Sequence, residues 1–177
     1  MTEHNEYGKA LFMLAREEGL LDSIRDELDL ANTVLSQNGD YLKILDTPAI
    51  PKEEKLGLIA DAFASLSEYV KNTLMILCEK REVYTLPSVY STFLSLYNEE
   101  MGIIEAECVT ALPLGEKESE AIRSRLEKIT GKTVILKNTV DPSILGGVKL
   151  RYLGIQVDGS LKARLDAISE SIKNIVI

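Results

Sequence analysis

Gly131-Lys132-Thr133 is a triplet whose residue types could hold a phosphate: glycine amides, an ammonium and a hydroxyl. A phosphate-binding loop also needs a glycine five residues before the glycine of its Gly-Lys pair, and that position is Leu126. The triplet follows a helical pattern and precedes a strand pattern. This reverses the order that aims helix N-terminal amides at an anion. Its simpler reading is a glycine that ends a helix. A small phosphate- or nucleotide-binding regulatory protein, with Lys132 as anion ligand, stands as the alternative function. Gly146-Gly147 lacks dinucleotide-loop spacing. The acid pairs Glu17-Glu18, Glu53-Glu54 and Glu99-Glu100 are of the kind that solvated helix faces carry. His4 is the single histidine, so a zinc site or a histidine-based triad is not expected. Cys78 and Cys108 sit in apolar sequence and read as reduced, buried hydrophobes. A disulfide between them is possible but has no support. No catalytic residue, metal ligand or cofactor is expected, and the chain reads as a non-enzyme.

The elements that would position these residues fall into two sets. Residues 1–104 predict a six-helix antiparallel bundle. Residues 5–18 place Tyr7, Ala10, Leu11, Leu14 and Ala15 on one helical face, with Phe12 and Met13 on either side. Gly8 is a weak helix former. A second helix over 21–37 has Ile24, Leu28, Ala31 and Leu35 as its inner stripe and ends at Asn38-Gly39. A short helix surrounds Tyr41 to Leu45. Pro51 opens a helix carrying Leu56, Ile59, Ala60 and Phe63. Residues 67–80 form a fifth helix whose apolar side chains point almost all round the axis, as in a helix either central to a core or shared between core and partner. The sixth, about 86–101, has Leu86, Tyr90, Phe93 and Tyr97 as its stripe, with Val89 and Leu96 beside it.

Residues 105–177 predict a small α+β domain. Ile104, Ala106, Cys108 and Thr110 alternate with Glu105, Glu107 and Val109 as in a half-buried strand. A helix over 116–129 turns Ala121, Ile122, Leu126 and Ile129 inward and sets Glu116 and Glu118 at its positive N-terminal pole. Thr133 to Val140 is a strand. Val148 to Val157 is a strand broken at Gly154. The last helix spaces Leu161, Leu165, Ile168, Ile172 and Ile175 as a heptad-like seam.

The composition is that of a soluble globular protein, 45% hydrophobic and 27% charged. No apolar run approaches the ~18 residues that cross a bilayer. The polar, acidic N-terminus is not a secretory signal. The net charge of −8 is uneven. Residues 1–104 hold 9 basic and 18 acidic side chains, and residues 105–177 hold 11 and 10. The acidic half repels phosphate backbones, so nucleic acid is not its partner. It tolerates a segment bearing Lys or Arg.

The most informative stretch is DPSILGGVKLRYLGIQVDGSLKARL, from Asp141 to Leu165. It orders an Asp-Pro-Ser turn, a Gly-Gly pair, a strand, an Asp-Gly-Ser turn and a helix start. This order resembles the C-terminal signature of the delta subunit of F-type ATP synthases, the family of the mitochondrial oligomycin-sensitivity-conferring protein. Tyr7-Gly8-Lys9-Ala10-Leu11 resembles the family's Tyr-Ala-x-Ala-Leu, with Gly8 as a departure. Val70-Lys71-Asn72-Thr73-Leu74, followed by Leu86-Pro87, is also similar. The resemblance implies a non-catalytic stator subunit, peripheral to the cytoplasmic face of a bacterial plasma membrane, linking catalytic head to peripheral stalk against rotor torque. It implies that the first and fifth helices grip the N-terminal helix of an alpha subunit. Combined with the apolar faces above, Tyr7, Ala10, Leu11, Leu14, Val70, Leu74 and Leu77 are the expected groove. It further implies that the C-terminal domain meets the b subunits through Gly147, Asp158, Gly159, Ser160, Leu161 and Leu165. Direct nucleotide binding is not expected.

Overall fold

The computed structural model describes residues 4–144 and 146–160. The chain divides into two compact units that meet between Asn98 and Glu99. Mainly helical architecture in the first is followed by a small four-stranded sheet in the second.

The first unit contains α1 (His4–Glu17), α2 (Leu21–Gln37), α3 (Gly39–Asp46), α4 (Lys52–Ala62), α5 (Glu68–Glu79), a 3-10 turn (Val83–Thr85) and most of α6 (Leu86–Glu100). Periodicity explains the core. Ile24, Leu28, Ala31 and Leu35 of α2 are all buried, at the spacing that lines one helical face. Val70, Leu74, Leu77 and Cys78 of α5 and Leu86, Val89, Phe93 and Tyr97 of α6 are buried as well. On α6, Val89 takes the interior position expected for Tyr90, which is half-buried. Phe12 meets Phe93 edge-on, with ring centroids 5.9 Å apart. On α4 the apolar pattern missed Lys55, which is buried, while Leu58 faces outward.

Polar contacts fix how these helices sit. The Ser67 N–H (2.8 Å) and hydroxyl (2.5 Å) both donate to the Glu27 carboxylate. A side chain of α2 thus serves the start of α5, where the first N–H groups lack partners within the helix. The Tyr97 hydroxyl donates to Asp22 and accepts from Arg25 (2.6 Å), tying α6 to α2.

The second unit contains β1 (Ile103–Thr110), α7 (Glu116–Thr130), β2 (Thr133–Val140), β3 (Val148–Tyr152) and β4 (Ile155–Asp158), in sheet order β2-β1-β3-β4. β1 and β2 are parallel, which requires a crossover, and α7 supplies it. β3 pairs antiparallel with both β1 and β4. Glu118 accepts the Gly115 N–H (3.0 Å) at the start of α7, and Gly131 ends the helix at φ +68. Ile104, Ala106, Val134 and Leu126 form the core, with Ile122, Leu136, Leu150 and Tyr152 against it. Ala121 and Ile129, expected inward, face solvent, because the stripe that meets the sheet runs through Ile122 and Leu126 instead. The opposite sheet face is charged, with Lys137–Glu105 (2.8 Å), Arg151–Glu107 (3.2 Å) and Lys149–Asp158 (3.4 Å) paired across strands. The break at Gly154 is a tight hairpin turn. Leu153 and Gly154 both have positive φ (48° and 77°), the backbone that two-residue hairpins require. The expected last helix lies outside the described residues.

Candidate partner-binding site

α1 packs beside α5, and its Tyr7 ring lies 5.1 Å from the Lys80 Nζ just beyond the α5 C-terminus. The start of α1 therefore lies beside the end of α5.

Each helix divides its apolar residues between two stripes. On α1, Leu11, Phe12 and Ala15 are buried, along with Gly8. Tyr7 is half-buried, while Ala10, Met13 and Leu14 are exposed, Leu14 by 38%. On α5, Val70, Leu74, Leu77 and Cys78 are buried. The neighbouring stripe, Tyr69, Thr73, Ile76 and Lys80, has i, i+4, i+7, i+11 spacing and lies along one flank. Tyr69 and Thr73 are half-buried, and Ile76 is 44% exposed. α1 and α5 thus each carry an apolar or half-buried flank, Tyr7–Leu14 and Tyr69–Ile76, beside a buried stripe.

The residues expected for this groove therefore separate. Tyr7, Ala10 and Leu14 reach the surface. Leu11, Val70, Leu74 and Leu77 do not, at 6%, 0%, 1% and 0% exposure. They are the bundle's own core, because the stripe that packs α5 against its neighbours takes one arc of a helix apolar on most sides. The sequence reading missed Tyr69, Thr73, Ile76 and Lys80. Their signal was present, since a helix too apolar for one core contact carries a second stripe beside the first.

At the other candidate surface the signature folds on itself. The Asp141 carboxylate accepts the Ser143 N–H (2.9 Å), and the Asp158 carboxylate accepts the Ser160 N–H (2.9 Å), so both D-x-S segments are turns closed by aspartate. The hydrogen bonds from Ser143 and Ser160, the largest influence in each case, hold both carboxyls below the usual aspartate range. Gly147 has φ +84, and a side-chain carbon there would stand 2.5 Å from the Gly159 carbonyl oxygen and 2.9 Å from Ser160 Cα. The Gly159 N–H donates to the Val148 carbonyl (2.9 Å). The Gly-Gly pair and the second turn are thus one backbone crossing. Asp158 is exposed and Ser160 buried, while Leu161 and Leu165 lie outside the described residues.

The phosphate reading of Gly131-Lys132-Thr133 fails on geometry. The Gly131 N–H is used on the Glu127 carbonyl (2.8 Å), and the triplet lies at the C-terminal pole of α7, where partial charge is negative. Cys78 and Cys108 are both buried and free, and burial pushes each thiol up.

The family model described as ATP synthase delta (OSCP) subunit matches residues 4–172. The chain belongs to that family. It is 36% identical over 167 residues to the ATP synthase subunit delta of Geobacillus sp. (strain WCH70), covering 94% of each chain. It is 38% identical over 170 residues to the same subunit of Bacillus mycoides (strain KBAB4), covering 95% of this chain and 94% of the relative. Its fold matches a chain in the cryo-EM structure of the Toxoplasma gondii mitochondrial ATP synthase hexamer, with TM-score 0.72, 21% identity and coverage of 97% and 98%. The delta family is a structural, non-catalytic subunit of a membrane-associated complex. Among the described residues no helix is long and apolar enough to cross a membrane.

Proposed function

We propose that this chain is the stator link of a bacterial F-type ATP synthase, holding the catalytic head to the peripheral stalk while the rotor turns. The α1–α5 groove takes the amphipathic N-terminal helix of an alpha subunit. The C-terminal unit meets the b subunits, with Gly147, Asp158, Gly159 and Ser160 shaping that surface. The complex places the chain at the cytoplasmic face of the plasma membrane.

The observation that carries the first half is the pair of exposed apolar flanks on two adjacent helices whose other stripes are core. Exposed apolar surface next to a packed seam suits a helix laid into a groove. Each apolar Å² removed from water contributes ~25 cal/mol before association costs. An anchor built this way resists torque through many small contacts and needs no bond-making chemistry. Exposed Leu153, Ile155 and Val157 at the β3–β4 hairpin support an apolar docking surface on the second unit.

Calorimetric titration of the full chain with a peptide of the alpha subunit N-terminal segment tests the groove, with saturable one-to-one binding expected. No heat at millimolar peptide ends this assignment. Co-purification of the b subunits with the tagged chain from solubilised membranes tests the second surface.

A further inference from the structure

Of the seven asparagines in the chain, Asn38 alone is followed by glycine, the residue that leaves the next main-chain nitrogen least shielded. Asn38 is the one residue between α2 and α3, Gly39 opens α3, and both are exposed. Asn38 has φ −120 and ψ 65 and makes no side-chain cap bond to α3. Its side-chain amide instead donates back to the Val34 carbonyl (2.7 Å). As the first residue of α3, Gly39 carries an N–H with no acceptor inside that helix. A side-chain carbon built on Gly39 would meet nothing within 4 Å, so the surroundings of that nitrogen are open.

We propose that Asn38 and Gly39 form a self-modification site, at which the main chain attacks its own side chain. The Gly39 nitrogen gives its proton to hydroxide and bonds to Asn38 Cγ. The Cγ–Nδ2 bond breaks, and the leaving nitrogen takes a proton from water and departs as ammonia. Water then opens the cyclic imide at either C–N bond of the ring. Opening at Cγ gives aspartate in an ordinary main chain. Opening at the main-chain carbonyl gives isoaspartate, with the chain rerouted through the side chain. The sum is one water consumed and one ammonia released, with no oxidant and no cofactor.

The fold sets where this happens and how fast. Asp158-Gly159 has the same spacing, but its parts are held: the Gly159 N–H donates to the Val148 carbonyl (2.9 Å), and the Asp158 carboxylate accepts the Ser160 N–H (2.9 Å) and pairs with Lys149 (3.4 Å). At Asn38 only the bond to Val34 must open before the amide turns toward Gly39. The reaction is therefore slower than in the unfolded chain but proceeds in the folded one. The two products differ in effect. Aspartate places a carboxylate at the N-terminal pole of α3, which favours negative charge. Isoaspartate lengthens the α2–α3 link by a methylene. It also removes from the main chain the Asn38 carbonyl that accepts the Tyr41 (3.0 Å) and Leu42 (3.2 Å) N–H groups. That loosens a helix docked through buried Leu45 and through the Tyr41 hydroxyl on the Leu58 carbonyl (2.9 Å).

The test incubates the folded full chain at neutral and at mildly alkaline pH and maps its peptides by mass spectrometry, with digestion at acidic pH so that the work-up adds no product. The peptide bearing Asn38 gains the mass of exchanging NH2 for OH, ahead of every other asparagine, and faster at the higher pH. An isoaspartyl methyltransferase with labelled methyl donor marks the same peptide. In Gly39→Ala the conversion slows by about tenfold, since a side-chain carbon crowds the attacking nitrogen and narrows its backbone freedom. Thermal unfolding of that variant matches or exceeds that of the parent, because alanine suits a helix better than glycine. Intact Asn38 in the folded chain while the urea-unfolded chain converts overturns the proposal. So does equal conversion at other asparagines, or an unchanged rate in Gly39→Ala.

Discussion

Gly8 on α1 and Val89 on α6 stand so close that a methyl group on Gly8 would lie 2.6 Å from the Val89 carbonyl oxygen. It would also lie 2.8 Å from Thr92 Cβ. Neither atom is the end of a flexible side chain. The close approach of α1 to α6 therefore needs a residue without a side chain, in a helix where glycine is otherwise unfavourable. Where the family pattern carries alanine after the tyrosine, this chain instead brings two backbones together.

Gly8→Ala sets two effects against each other. Helix propensity favours alanine by about 1 kcal/mol, while the steric overlap costs about 1–3 kcal/mol. The overlap with backbone wins, and urea unfolding shows a lower midpoint. An unchanged or higher midpoint refutes the contact.

Leu74 and Ile76 separate folding from binding. Leu74→Asp places a carboxylate in the core and costs on the order of 3–5 kcal/mol, so circular dichroism shows loss of the bundle. Ile76→Asp alters an exposed flank and shifts stability by less than about 0.5 kcal/mol. It nevertheless weakens the alpha peptide by about tenfold in calorimetry, because a charge now faces the apolar side of the occupant. Full affinity in Ile76→Asp removes the groove.

Gly147→Ala should open the crossing between the Gly-Gly pair and the second turn. Its side-chain carbon meets the Gly159 carbonyl, and its positive φ adds strain, together about 2 kcal/mol or more. Hydrogen exchange at the Gly159 amide then rises, since its bond to Val148 is lost. Retained protection at that amide contradicts the close approach.

Acid should loosen the two aspartate-closed turns. Both carboxyls titrate below the ordinary 3.8 in the folded chain. Their contribution to stability is therefore fully present above the unfolded value and is lost as pH falls through the lower, folded value. Carboxyl-detected NMR titration gives midpoints below 3.8 for Asp141 and Asp158. In Ser143→Pro the Asp141 midpoint returns toward 3.8, because the hydroxyl and the amide donor of residue 143 are both gone; an unmoved midpoint shows these bonds are not the cause.

Elements were legible wherever one period governed them. The stripes of α2 and the alternation of β1 follow directly from apolar spacing, because each element meets one core on one face. Gly131 was readable as a helix end because its neighbours carry opposite periodicities. The proposed groove was only half legible. Tyr7 and Leu14 lie on the outer flank, but Val70, Leu74 and Leu77 were chosen from a helix apolar on most sides, where spacing alone does not say which arc packs inward. Long-range relations left no local pattern at all. Gly8 against Val89, Glu27 beneath Ser67 and Lys55 in the interior depend on neighbours distant in sequence.

Cys78 belongs to the first unit and Cys108 to the second, and each is a shielded thiol. Reaction of either with an alkylating reagent requires its own surroundings to part. Two labelling rates, resolved by peptide mass spectrometry, thus become independent clocks for the breathing of the two units, without any engineered probe.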